Sequence, residues 1–140
     1  EQFDTSTAQG LLFLQMLGSF SEFERKVIAE RTKSGRLANG KNHIHPGGKP
    51  PIGFKLENKT YKVDEKEAQI IREIFKLRSK GLSLKAIGNE VGMSKQRVHY
   101  ILKNQMYRGK FIYDGEVEHN NISYNVDRIV SDYIFNKVNK

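Results

Sequence analysis

The 140-residue sequence contains no cysteine, which excludes a disulfide framework and a cysteine-ligated zinc site. No apolar run approaches the ~20 residues that a membrane-spanning helix needs, and no signal peptide is visible. His43 and His45 are close in sequence but have no cysteine nearby, so they form a poor metal site. We therefore predict no metal, no cofactor and no membrane partner, and these absences favour a cytoplasmic protein.

Acidic residues are scarce in two stretches of this basic chain. The formal net charge is +8 and the sequence pI is about 9.7. Residues 31–49 carry five basic side chains and no acidic one, and residues 72–103 carry eight basic side chains against two acidic ones. Positive charge concentrated in two places predicts a polyanionic partner such as nucleic acid.

Residues 84–102, LKAIGNEVGMSKQRVHYIL, have the spacing of a helix-turn-helix. Gly88 is small enough for two helices to approach closely, and Gly92 can adopt the positive φ of a sharp turn. Ser94 is the predicted N-cap of the second helix, whose exposed face has the side-chain chemistry of a helix that reads the major groove. A helical hairpin that binds nothing is the alternative. The predicted DNA-binding residues of this element are Ser94, Lys95, Gln96, Arg97, His99 and Tyr100.

A stretch without proline extends to Pro46, and its apolar residues recur at steps of three and four. This pattern predicts a helix from about Thr7 to Asn39, roughly 50 Å long at 1.5 Å per residue. The first half is expected to pack through an apolar stripe. The second half is basic and is expected to contact phosphates, although a solvated end favoured by the helix dipole is the alternative. The apolar stripe consists of Phe13, Met16, Leu17, Phe20, Phe23 and Val27, and the predicted phosphate contacts are Arg31, Lys33 and Arg36.

Glycine and proline mark residues 40–48 as a linker after this helix. Extended basic linkers can follow a DNA groove, so Lys41, His43 and the adjoining Lys49 are predicted to contact DNA. An ordinary flexible tether would have the same composition.

The rest of the pattern completes a fold that is mainly α with a small β component. We expect a long N-terminal helix, a linker, and a compact helical domain with a helix-turn-helix and a β-hairpin. The remaining predicted elements are two short strands around Asn58, a helix from Asp64 to about Lys80, a hairpin with its turn at Asp114 and Gly115, and a last helix after Ser131 or Asp132.

No catalytic constellation stands out in these residues. The serines lack a context that marks one as activated, and Glu22, Glu24 and Glu30 lie among basic residues where ion pairing is the expected role. From the residues alone, the sequence predicts a DNA-binding module with a projecting basic arm. The alternatives are a helix-turn-helix transcriptional regulator and a protein-interaction module built on the long apolar helix.

Three segments, DTSTAQG, FLQMLGSFSEFERKVIAERTKSG and GGKPPIGF, resemble the large serine recombinases, which are phage integrases and mobile-element recombinases related to the resolvase/invertase group. The resemblance covers nearly the whole chain. It implies that residues 1–39 are the end of a catalytic domain with its long dimerising helix, that residues 40–48 are a basic linker, and that residues 49–140 are the recombinase-type DNA-binding domain. Two departures are Ala8, where many members have proline, and the missing cysteines of a zinc-ribbon domain.

The resemblance also implies an activity, namely cutting and rejoining duplex DNA at attachment sites through a phosphoserine intermediate. The nucleophilic serine would precede Glu1, so this segment alone is expected to be inactive. Glu30 and Arg31 would be accessory catalytic residues, and neither metal nor nucleotide would be needed. The implied partners are an attachment-site half-site and further copies of the chain, in a dimer and a synaptic tetramer. The residues implied at that interface are Phe13, Met16, Leu17, Phe20, Glu24 and Arg25.

Overall fold

A computed structural model of the chain describes residues 5–114 and 121–140. The predicted fold class is confirmed, because helices dominate and the strands of the described residues form two small antiparallel sheets. The elements are α1 Ala8–Lys41, β1 Phe54–Glu57, β2 Thr60–Val63, α2 Glu65–Ser79, α3 Leu84–Val91, α4 Lys95–Lys103, a 3-10 helix Gln105–Arg108, β3 Lys110–Asp114, β4 Asn121–Asn125 and α5 Asp132–Val138.

Helix α1 is the long helix that the apolar stripe predicts. Thr7 is its N-cap, since its Oγ1 accepts a 3.1 Å hydrogen bond from the Gly10 backbone N–H. The helix continues two residues beyond the predicted end, into the first part of the predicted linker. Its large apolar side chains are exposed, including Phe20 at 64% and Phe23 at 65%. The described part of the chain therefore leaves an apolar face of α1 uncovered.

Helices α2 to α5 enclose the hydrophobic core. Asp64 starts α2, because its Oδ1 accepts hydrogen bonds from the backbone N–H groups of Lys66 and Glu67. The inward face of α2 then packs on α3, α4 and α5, which confirms the predicted helical domain. The fully buried large side chains of this core are Ile71, Ile74 and Phe75 of α2, Ile87 of α3, Val98 and Ile101 of α4, and Tyr107 of the 3-10 helix.

Strands β1 and β2 form the hairpin predicted around Asn58. Phe54 pairs with Val63, and Glu57 pairs with Thr60 across a two-residue turn. The turn residues Asn58 and Lys59 have φ values of 49° and 60°, as a two-residue turn with left-handed central residues requires.

The second predicted hairpin forms between β3 and β4, but its register is not that of a two-residue turn at Asp114 and Gly115. A two-residue turn at Asp114 and Gly115 would place Glu118 opposite Phe111, whereas Phe111 pairs with Tyr124. The two rings lie 4.7 Å apart between centroids, and a cross-strand aromatic pair is more stabilising than an aromatic–carboxylate pair on a half-buried face. The predicted turn residue Gly115 and the predicted strand end at 116–118 lie outside the described residues.

Candidate nucleic-acid interface

The turn between α3 and α4 has the geometry that the two glycines predict. Gly92 has φ +70° and its N–H bonds to the Gly88 carbonyl. The Met93 N–H donates to the same carbonyl at 2.8 Å. A Cβ added at Gly88 would lie 2.4 Å from the Met93 carbonyl oxygen, so this close helix approach requires glycine.

Helix α4 begins at the predicted N-cap. The Ser94 Oγ accepts a 3.2 Å hydrogen bond from the Arg97 backbone N–H, and Val98 and Ile101 hold the opposite face in the core. The five remaining predicted side chains are exposed, and across the described residues none is engaged in a hydrogen bond or an ion pair. This free surface, which we call the recognition face, consists of Lys95, Gln96, Arg97, His99 and Tyr100.

The basic end of α1 is held against the domain at its last turn. Gly40 is buried, and a Cβ built there would lie 3.0 Å from the Ile122 Cδ1 of β4. His43 stacks on Tyr124 with ring centroids 4.8 Å apart, so this predicted DNA contact also has a structural role. The other predicted cations of this region, Arg31, Arg36, Lys41 and Lys49, are exposed, and Lys33 is half-buried.

The linker is docked, which contradicts the alternative of a flexible tether. His45 Nε2 lies 2.9 Å from the Gly48 carbonyl, and His45 Nδ1 lies 2.6 Å from the Tyr61 Oη of β2. A carbonyl only accepts, so Nε2 carries the proton and Nδ1 accepts from the Tyr61 hydroxyl. The next residue, Pro46, is buried. We call His45, Gly48 and Tyr61 the linker clamp.

A groove of about 400 Å³ separates the end of the linker from α4. The groove is lined by Lys49 of the linker, by Arg97 and Tyr100 of α4, and by the buried Tyr107. Burial raises the pKa of the Tyr107 hydroxyl, which donates a 2.7 Å hydrogen bond to the Ile52 carbonyl. We call this feature the linker groove.

Tyr107 and the linker clamp are the features that sequence reasoning missed. Tyr107 and Ile52 are 55 residues apart, and His45 and Tyr61 are 16 apart. No periodicity or cap connects such pairs. The Gly-Pro composition around Pro46 indicated a linker, but it did not identify the residues to which the linker docks.

The residues implied at a chain–chain interface all lie on α1. They are exposed, and some of them line a shallow apolar groove that runs along Leu12, Met16, Phe20 and Phe23. Glu30 and Arg31 lie further along the same helix and are exposed. The structure thus places the apolar stripe and the two implied accessory residues on one continuous element.

Two classes of site are not found in the part of the chain that the structure describes. Residues 5–114 and 121–140 hold no group of three His, Asp or Glu side chains that could bind a metal ion. The same residues contain no helix that combines the length and the apolarity needed to cross a membrane.

Comparisons with known families and proteins match both parts of the chain. The family model described as Recombinase matches residues 65–140, and the model described as Resolvase, N terminal domain, matches residues 1–43. A Bacillus subtilis protein named as a DNA recombinase is 34% identical over 133 residues, which cover 79% of this chain and 27% of that protein. Serine recombinase Gin of Escherichia phage Mu is 41% identical over 57 residues, which cover 41% of this chain and 29% of Gin. The chain therefore spans less than a third of either relative.

Among solved structures, the chain resembles one described as an LSR–DNA complex. The TM-score is 0.62 at 18% identity, and the match covers 78% of this chain and 36% of that one. At this identity the likeness establishes a shared fold.

Proposed function

Because the chain belongs to the large serine recombinase family, we propose that it binds one half of a recombination site in duplex DNA and that α4 reads the sequence. The observation that carries this proposal is the recognition face, where five exposed polar side chains stand on a helix whose other side is locked into the core. A free polar surface on a rigid helix has the form needed to read base edges.

The chemistry of the recognition face suits the major groove. That groove is about 12 Å wide and admits an α-helix. Arg97 and Lys95 offer donors that match the O6 and N7 acceptors of guanine, and the Gln96 amide can pair with the N6 and N7 of adenine. Ser94 fixes the start of the helix and thereby the depth at which these first-turn side chains enter the groove.

The basic end of α1 and the linker supply contacts that do not depend on sequence. Each cation that neutralises a phosphate releases counterions, which adds affinity that falls with salt. The docked linker holds its cations at fixed positions relative to α4, so the same DNA could engage both. The residues proposed for these contacts are Arg31, Lys33, Arg36, Lys41, His43 and Lys49.

In the whole protein, we propose that this binding serves strand cutting and rejoining through a phosphoserine intermediate. A serine oxygen attacks a DNA phosphate, a DNA hydroxyl leaves, and the covalent link preserves the energy of the bond for rejoining. Glu30 and Arg31 would lie near that phosphate, where the guanidinium would stabilise the developing negative charge. This chemistry is proposed for the whole protein, of which the chain contributes the DNA-binding part.

The uncovered face of α1 is proposed to associate with α1 of further copies, as a dimer and, in synapsis, a tetramer. Phe13, Met16, Leu17 and Phe20 would form the buried seam, with Glu24 and Arg25 at its polar end. Sedimentation of Phe20→Glu against the unsubstituted chain tests this proposal. A shift to smaller species is expected, and identical sedimentation would contradict it.

The DNA-binding proposal is tested by selecting bound duplexes from a randomised library and then footprinting the enriched site at two salt concentrations. We expect a single enriched motif, protection across one major groove and the adjoining minor groove, and affinity that falls steeply with salt. A library that stays random after selection, together with diffuse binding that disappears at the higher salt, would overturn sequence-specific recognition by α4.

A further inference from the structure

The Tyr107 hydroxyl ties the start of the DNA-binding domain to the residues that follow α4. Tyr107 lies in the 3-10 helix, four residues after α4 ends, and its side chain is fully buried. Its ring stacks on Phe54 with centroids 5.9 Å apart, and its Oη donates to the Ile52 carbonyl at 2.7 Å. The backbone carbonyl of Tyr107 also accepts from the N–H groups of Ile129 and Val130, so this anchor is itself fixed.

A second bond holds the same short segment. The Gly53 N–H donates to Glu67 Oε2 of α2 at 2.8 Å. Gly53 has φ +95°, a conformation that favours glycine, and a Cβ there would lie 2.9 Å from Ile129 Cδ1, so a larger residue would also displace that side chain. Residues 52 and 53 are thus fixed against α2 and the 3-10 helix at two consecutive positions.

Two prolines restrict the backbone between this fixed segment and Lys49. Pro50 and Pro51 separate Lys49 from Ile52, and the proline ring restricts φ while each following proline restricts the residue before it. Lys49 therefore has little freedom relative to the fixed segment. It lines the linker groove together with Arg97, and within the described ranges neither side chain takes part in an ion pair.

We propose that Tyr107 is a positioning residue for DNA binding, because its bond to Ile52 holds Lys49 at the linker groove that Arg97 also lines. Lys49 then meets the phosphate backbone that borders the major groove in which Arg97 lies. The inference rests on the proposed function, since it needs duplex DNA as the ligand, and it assigns to a buried side chain a role in placing a surface cation.

The first test measures the affinity of Tyr107→Phe for the selected duplex over a range of salt. This variant keeps the ring and removes one hydroxyl. We expect affinity to fall about 3- to 10-fold on selected and mismatched sites alike, and the salt slope to flatten by roughly the contribution of one cation, ~0.9. In a Lys49→Ala chain the same change should have little further effect, because the cation that it positions is gone.

Tyr124→Phe is the matched control. The Tyr124 hydroxyl is buried with no hydrogen-bond partner among the described residues, so its removal breaks no bond and affinity should stay unchanged. The positioning role would be overturned if the losses of affinity from Tyr107→Phe and Lys49→Ala were fully additive in the double variant. It would also be overturned if Tyr107→Phe reduced affinity for the selected site only.

A second test is independent of DNA. The chain has no cysteine, so spin labels attached through Lys49→Cys and Lys103→Cys report one distance, from the linker to the end of α4. Tyr107→Phe should broaden that distance distribution and Tyr124→Phe should not. If Tyr107→Phe leaves the distance distribution unchanged, the inference is overturned even where DNA binds normally. If the unsubstituted chain binds no duplex, the proposed function is overturned instead, and the distance measurement still tests whether Tyr107 holds Lys49 in place.

Discussion

The Tyr61 hydroxyl donates a 2.6 Å hydrogen bond to Nδ1 of His45, which lies 16 residues earlier in the chain. The other ring nitrogen of His45 donates to the Gly48 carbonyl at 2.9 Å. The imidazole therefore bridges the linker to β2 and closes the turn of the linker at the same time. Both bonds form where the chain leaves α1 for the helical domain.

Replacement of His45 should loosen this junction. His45→Ala removes two hydrogen bonds and leaves the hydroxyl of the buried Tyr61 without its acceptor, so the free energy of unfolding should fall by about 1–2 kcal/mol. Urea unfolding measures the change. His99→Ala removes the same type of side chain from the recognition face, where it has no such bonds, and should cost less than ~0.5 kcal/mol. Equal midpoints for the two variants would show that the clamp does not contribute to stability.

Gly88→Ala should disrupt the helix-turn-helix. Its Cβ would lie 2.4 Å from the Met93 carbonyl oxygen, a backbone atom that can move only with the turn. Overpacking of this kind costs about 1–3 kcal/mol, measured by thermal or urea unfolding. Gly18→Ala is the control, because a Cβ there meets no atom within 4 Å and alanine favours a helix interior by roughly 0.5–1 kcal/mol. A Gly88→Ala chain as stable as the Gly18→Ala chain would contradict the close approach.

Arg97→Ala and Gln96→Ala should each weaken discrimination between selected and mutated duplexes by ~1–3 kcal/mol. Removal of a bidentate pair of hydrogen bonds reduces affinity for the correct base pair and barely changes affinity for the wrong one. Competition binding measures the ratio. Lys76→Ala removes a charge from α2 that is already paired with Glu73 at 3.6 Å, and it should leave the ratio unchanged. Equal reductions in affinity on every duplex would mean that Arg97 and Gln96 touch only phosphate.

The basic end of α1 should contribute to the salt dependence of binding. Removal of the three cations by substituting Arg31, Lys33 and Arg36 with alanine should flatten the salt slope by up to about 0.9 for each phosphate that is no longer neutralised. Replacement of the two arginines by lysine keeps the charge and should keep most of the slope. A triple-alanine chain with the original slope would exclude this end of the helix from the DNA interface.

Alkaline pH should destabilise the fold through its buried tyrosines. Burial raises the pKa of Tyr61 and Tyr107, and the pKa of Tyr124 is also raised by burial. An unfolded tyrosine titrates near pH 10, so above about that pH the folded chain holds more protons than the unfolded one. The stability from these groups is complete below about pH 10 and is lost as the pH rises beyond it.

Unfolding free energies measured on either side of that pH test this prediction. Tyr61→Phe removes one titrating group, so its loss of stability between about pH 8 and pH 11 should be smaller than that of the unsubstituted chain. The comparison is between two pH values within each protein, so the cost of breaking the clamp cancels. An equal or larger loss in the variant would show that Tyr61 is not protected from ionisation.

The sequence patterns correctly predicted those features of the structure that depend on interactions between residues close together in the chain. The length of α1, the caps Asp64 and Ser94, and the glycines of the turn all follow from interactions between residues a few positions apart. The recognition face follows as well, since helical spacing decides which side chains of α4 lie opposite Val98.

Contacts between residues that are far apart in the sequence could not be predicted from such local patterns. The turn chemistry of Asp114 and Gly115 favours a tight hairpin, but the packing of the Phe111 ring against Tyr124 favours a different register. Similarly, the composition of residues 40–48 fits a free tether and a docked one, and only the position of Tyr61 decides between them. In both cases a contact between aromatic side chains from different segments decides the structure, against the local preference in the hairpin and in its absence in the linker.

The length of α1 has a mechanical consequence. The 34-residue helix extends about 51 Å at 1.5 Å per residue, and it is fastened to the domain near one end, where Gly40 meets Ile122 and His43 meets Tyr124. A tilt of about 10° at that junction would displace the far end by about 9 Å, on the same geometry. A rotation of that size at the junction would therefore be amplified along the helix into a displacement nearly as large as the helix is wide.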